Sequence, residues 1–123
     1  MKTARLSADV VIALARLIWP DFVEIDGRVF LVAQYSDLKL KELRAQGFDE
    51  TEAQYWMNLF PVEGLLGDEE SLQPDHEDEF AAILEHSWAA KLAADYPGRR
   101  FMVKTARDGD VGDVCVVFTN EPV

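Results

Sequence analysis

The chain is poor in the residues that chemistry most often uses: one cysteine and two histidines in 123 positions. A single thiol closes no intrachain bridge, so Cys115, inside the apolar run Val114 to Phe118, reads as a small buried hydrophobe in a protein suited to a reducing compartment. Long apolar runs are also missing, and none approaches the roughly 20 residues needed to span a bilayer. Asp9 and Arg16 interrupt the stretch behind Met1 and Lys2 that would otherwise form the apolar centre of a secretion signal, so the expected location is cytoplasmic. There is no Gly-x-Ser-x-Gly, no phosphate-binding loop and no dinucleotide fingerprint. These absences lean against an enzyme, and no cofactor is expected.

Positive charge is nearly absent from the middle of the chain. Residues 49–98 carry one basic residue, Lys91, against thirteen Asp and Glu, while the segments before and after are close to neutral. The net charge of −11 therefore comes from this middle part. A concentrated negative field repels nucleic-acid phosphates and anionic lipid and attracts cationic surfaces.

What the chain does contain organises it around residues 76–107. Phe80, Ile83, Leu84, Trp88 and Leu92 recur at three- and four-residue spacings and predict a long amphipathic helix with that stripe inward. Asp75 is its expected N-cap, and Tyr96-Pro97-Gly98 its stop. Beyond the stop, Phe101, Val103 and Thr105 alternate with Met102, Lys104 and Ala106 as in a half-buried strand.

Ahead of this stretch, Ser7 caps an expected helix over 8–18. Phe22 to Ile25 and Arg28 to Ala33 form an expected hairpin at Asp26-Gly27. A bulge at Gly27 would set Glu24 opposite Arg28 and Phe22 opposite Phe30, and that register is preferred because it pairs charge with charge and ring with ring. Ser36 and Gly47 bound a short helix over 37–46, with Leu40 and Leu43 inward. Asp49 and Glu52 form a capping box for another helix, whose Ala53, Trp56, Met57 and Phe60 share an apolar face. The two helices superficially resemble a helix-turn-helix unit, but the second opens with Asp49, Glu50 and Glu52 and carries no Lys or Arg for phosphates or base edges. Residues 62–74 read as a loop, and Asp108-Gly109-Asp110 turns the chain into a final strand over 114–119 that is apolar on both faces. The sum is a single α+β domain over residues 1–123: a mainly antiparallel sheet of about four strands, in two hairpins, with helices packed on one face.

Candidate ligands for a metal are concentrated in Asp75-His76-Glu77-Asp78-Glu79, with His86 further along the same helix. Convincing zinc motifs set two ligands one turn apart on one face, a spacing absent here, and no metal site is expected. The run Asp108 to Asp113 likewise lacks an oxygen ligand at its fifth position, Gly112, and reads as a turn rather than a calcium loop. The expected function is a non-catalytic protein-binding module for a basic or apolar partner surface. Its candidate contacts are Asp68, Glu69, Glu70, Asp75, Glu77, Asp78, Glu79 and Trp56. Arg99, Arg100, Lys104 and Arg107 could meet the acidic segment of a second copy, so a homodimer stays open. Nucleic acid and membrane are not expected partners. The competing reading is a small-molecule site or enzyme built on His76 and His86.

Overall fold

Helices begin and end at the side chains that satisfy their free backbone groups. Residues 7–62, 74–108 and 113–121 are described in the computed structural model, with the backbone alone of Pro74, Asp75, Asp108 and Asp113. Ser7 accepts from Val10 N–H at the start of α1 (Ala8–Ile18), at 3.2 Å. Two four-residue strands follow, β1 (Phe22–Ile25) and β2 (Arg28–Leu31). Ser36 caps α2 (Asp37–Ala45), which ends at Gly47 with φ of 93° and paired bonds from Gly47 and Phe48 N–H to Arg44 and Leu43 carbonyls. Asp49 and Glu52 close a reciprocal capping box on α3 (Glu50–Asn58). The chain then runs through β3 (Phe60–Pro61), α4 (Pro74–Asp95), β4 (Phe101–Asp108) and β5 (Asp113–Asn120).

The expected α+β class is what the structure shows. β1 and β2 form a two-stranded antiparallel sheet, and β3, β5 and β4, in that order, form a three-stranded one. β5 is the central strand. Its Val114, Val116 and Phe118 join Leu84, Trp88 and Leu92 of α4 in one core, and Cys115 and Val117 are equally buried on its other face.

The hairpin register differs from the expected one. Ile25 pairs with Arg28, Glu24 with Val29, Val23 with Phe30 and Phe22 with Leu31, around a two-residue turn in which Asp26 and Gly27 have φ of 52° and 82°. Positive φ at both turn residues gives the twist that matches the strands. This register also divides the hairpin between two cores. Phe22, Val29 and Leu31 face Trp88 and Phe118, while Val23, Ile25 and Phe30 face Leu40, Leu43, Ala53 and Met57. Glu24 finds its cation in Arg99, at 2.7 Å, rather than across the strand pair.

Three local expectations are corrected. Phe60 is not helical, because Pro61 pushes the residue before it toward extended backbone; Phe60-Pro61 instead pairs with Val116 and Cys115 as an edge strand, where the missing proline N–H is tolerated. Pro74 takes the first helical position of α4, so Asp75 lies inside the helix rather than capping it. Ile83 is 48% exposed, and fully buried Ala81 takes its place in the stripe with Leu84, Trp88 and Leu92.

The two sheets are joined by side-chain amides. The backbone groups of Val29 and Leu31 point away from β1 and meet no strand. Val29 N–H donates to Asn120 Oδ1 (3.2 Å), and Val29 O accepts from Gln54 Nε2 (2.9 Å) and Asn58 Nδ2 (3.0 Å). Leu31 N–H donates to Asn58 Oδ1 (3.1 Å), and Leu31 O accepts from Gln34 and Tyr35 N–H. Asn58 Nδ2 also reaches Phe118 O of β5, at 3.2 Å, and Asn120 and Gln54 exchange bonds of 2.6 and 3.0 Å. Gln54 and Asn58 are fully buried, and among the described residues no buried side-chain polar atom lacks a partner.

Replacing Asn58 with Ala orphans Leu31 N–H inside the protein and should lower stability by about 3 kcal/mol. Urea unfolding followed by circular dichroism would measure this, and a loss well under 1 kcal/mol would contradict the joint just described. Gly27→Ala, which forces an alanine to φ of 82°, should cost about 1–2 kcal/mol in the same assay, whereas Asp26→Asn should be close to neutral.

Candidate functional site

The three tryptophans have different fates. Trp88 is fully buried and donates its indole N–H to Leu17 O at 2.9 Å, which, with the Ser87 hydroxyl on Ile18 O, ties the end of α1 to α4. Trp19 is 49% exposed, with Lys91 Nζ 5.9 Å from its ring centre. Trp56 is 39% exposed and sits at the mouth of a cleft.

The cleft follows from how α3 is anchored. Ala53, Gln54, Met57 and Asn58 bury one side of this helix, which leaves Thr51, Glu52, Tyr55 and Trp56 on the opposite side. The register of β4 against β5 puts Met102 and Thr119 opposite each other and Lys104 opposite Val117, on one face of the sheet. Those four residues of α3 join Met102, Lys104, Thr119 and Asn120 around a concavity of about 530 Å³. The Tyr55 and Trp56 rings meet edge to face at 5.4 Å, Phe48 lies 6.4 Å behind Trp56, and Lys104 Nζ stands 5.8 Å from the Tyr55 ring. Met102 is 46% exposed. Rings, a thioether, one ammonium and one carboxylate line it, so its wall is mainly apolar with a charged rim. No histidine or cysteine lines the cleft to move a proton or attack a substrate.

No protein family, curated protein or solved structure matches the chain. The functional reading therefore rests on this geometry.

The acidic residues singled out in the sequence are not gathered at this cleft. Asp68, Glu69 and Glu70 lie outside the described residues, and of Asp75 only the helical backbone is described. Asp78 is 2.9 Å from Arg107 of β4, and Glu85 accepts from Thr105 at 3.0 Å. Thr105 and Arg107 belong to the face of β4 opposite Met102 and Lys104, so Asp78 and Trp56 are on different sides of the sheet. Glu77 and Glu79 make no side-chain bond among the described residues. In α3, Asp49 and Glu52 are used for capping, and Glu50 holds Arg44 through two bonds of 2.7 and 3.1 Å.

The histidine alternative has no geometric support. His76 and His86 are both exposed on α4, ten residues apart and hence roughly 15 Å along the helix axis, too far to share one ion. Neither lines this cleft, and among the described residues no group of three His, Cys, Asp or Glu side chains could hold a metal. Cys115 is buried, as its apolar run implied. Among the described residues no helix is long and apolar enough to cross a membrane.

Tyr55, Met102 and the amides Gln54 and Asn58 were not singled out from sequence. The one available signal was the Tyr55-Trp56 pair itself, since two adjacent large aromatics on a helix point about 100° apart and cannot both face one core.

Ionisation is perturbed at Glu50, Tyr35 and Tyr96. Glu50 is held below the usual carboxylate range by its hydrogen bond to Arg44, reinforced by the charges of Arg44 and Arg28 against a smaller desolvation penalty. Tyr35 is raised by its hydrogen bond to Asp37 and by burial, and Tyr96 by burial and by Glu24 and Asp95. For Glu50 the folded value lies below the unfolded 4.5, so its stabilisation is present above that value and is lost as pH falls through the lowered one. The stability difference between the native chain and Glu50→Gln should accordingly be positive at pH 7, shrink with added salt and vanish in acid. A difference that grew on acidification would overturn the assignment.

Proposed function

We infer that the protein is a non-catalytic binding module that receives an apolar side chain of a protein partner, flanked by basic residues, in the cleft between α3 and β4. The observation that carries this is the exposure of Trp56 beside Tyr55 and Met102 in a concave site, on a helix whose other side is locked into the core. Half-exposed aromatic and methionine side chains in a depression are the residue types that anchor interfaces, because they gain much burial for few rotamers lost. The basic flank follows from Glu52 in the cleft lining and from the absence of any lysine or arginine between Asp49 and Asn58 on α3. The net charge of −11 speeds encounter with a cationic surface and disfavours nucleic acid.

A random-peptide display library panned against the immobilised protein tests the reading. The peptides recovered should share one large apolar residue with neighbouring Lys or Arg, and their affinity should fall with salt. Trp56→Ala and Met102→Asp should each weaken them by about tenfold or more. Glu79→Gln, on the far side of the sheet, should leave them unchanged. Peptides that bind Trp56→Ala as tightly as the native chain would sink the proposal.

A further inference from the structure

On the other side of Asn120 a second and larger concavity opens, of about 730 Å³, lined by Asp26, Gly27 and Arg28 of the hairpin turn, Gly98, Arg99 and Arg100 after α4, and Asn120 and Glu121. Three arginines converge there in a chain with 12 basic residues against 23 acidic ones. Their bonding differs. Arg99 is committed to the fold: it reaches Glu24 Oε2 at 2.7 Å and Gly27 O, and its guanidinium carbon stands 5.7 and 6.0 Å from the Tyr96 and Phe101 ring centres. Arg28 is half-buried and aimed by a bond of 2.8 Å to Gln54 Oε1, a neutral amide that orients the guanidinium without cancelling its charge. Arg100 is exposed and makes no side-chain bond among the described residues, while its carbonyl accepts from Glu121 N–H at 3.0 Å and fixes the backbone beneath it. Of the two lining carboxylates, Asp26 already faces Arg44, at 3.6 Å. Gly27 and Gly98, with φ of 82° and 86°, have open space where a Cβ would stand, so the backbone of both turns is approachable from the cavity.

We propose that this cavity is a binding site for a small multivalent anion bearing phosphate or carboxylate groups, held by Arg28 and Arg100. Guanidinium groups match both oxyanions with paired, charge-assisted bonds. A pre-aimed Arg28 reduces the ordering cost of binding, and the volume lies in the range of small-molecule sites. The site shares Asn120 with the Trp56 cleft, but its ligand does not depend on the partner assigned to that cleft.

Calorimetric titration of the full chain at low ionic strength with pyrophosphate, and separately with citrate, tests it. At least one probe should bind, more weakly as salt is added, and the preference between them identifies phosphate or carboxylate as the native chemistry. Arg100→Gln carries the decisive comparison, because Arg100 has no side-chain bond to lose among the described residues; affinity should drop about tenfold or more. Lys41→Gln, on α2, should leave binding unchanged. In amide NMR spectra the Gly27 and Gly98 signals should move with the probe. Absence of binding by both probes, equal binding by Arg100→Gln, or shifts confined to other residues would each overturn the site.

Discussion

A strand edge closed by side chains holds the two halves of this protein together. β2 lies beside β5 but does not hydrogen-bond to it as a strand would; Gln54, Asn58 and Asn120 stand in for the missing ladder. An unpaired backbone group in a dry interior costs about as much as a lost hydrogen bond, so the outward edge of β2 must be answered by something. Two amides one turn apart on α3 supply most of the answer. They set where α3 lies, and hence which side of it turns toward Met102 and Lys104. The anchored face of α3 and the open cleft on its other side are consequences of one arrangement.

The same network reaches the arginine cavity. Gln54 Oε1 accepts from both Arg28 Nη1 and Asn120 N–H, and Asn120 lines both concavities. The buried stitch and the two concavities therefore share members, so a substitution at Gln54 or Asn120 disturbs the architecture that shapes both. Electrostatics follow a similar economy. Several described carboxylates of the acidic middle segment are tied to local work: Asp49 and Glu52 to a helix start, Glu50 to Arg44, Asp78 to Arg107, Asp95 to Lys91. A linear charge count overstates how much of that field is free for a partner.

Features governed by a few neighbouring residues were legible in the sequence. Ser7, Ser36, Gly47 and the Asp49–Glu52 box act within one turn of chain, and each stands where its chemistry requires. Features decided by packing from two sides were not. The hairpin register depends on Phe22 and Phe30 serving different cores, which no pairing rule within the hairpin contains. β3 is only two residues long and exists because β5 offers an edge. Gln54 and Asn58 carry no local signal of burial, because polar residues four apart on a helix usually form a solvated face. The cleft draws on residues from 51 to 120 and the arginine cavity on residues from 26 to 121, so neither is a motif. Trp56 is a candidate contact by its residue type and is expected on the apolar face with Ala53 and Met57, but it turns away from those two buried residues. Its exposure is a tertiary fact.

Chain order gives β5 a further consequence. As the central strand it borders β3 and β4 and lies against α3 and α4, and every one of those elements precedes it in the sequence. During synthesis the apolar faces of α4 and of the hairpin wait for a strand that emerges after them. The nascent polypeptide thus carries the core face of Leu84, Trp88 and Leu92 uncovered until the last described strand is made, whereas the smaller core of Phe30, Leu40, Leu43, Ala53 and Met57 draws on no residue of β5 and can close before it.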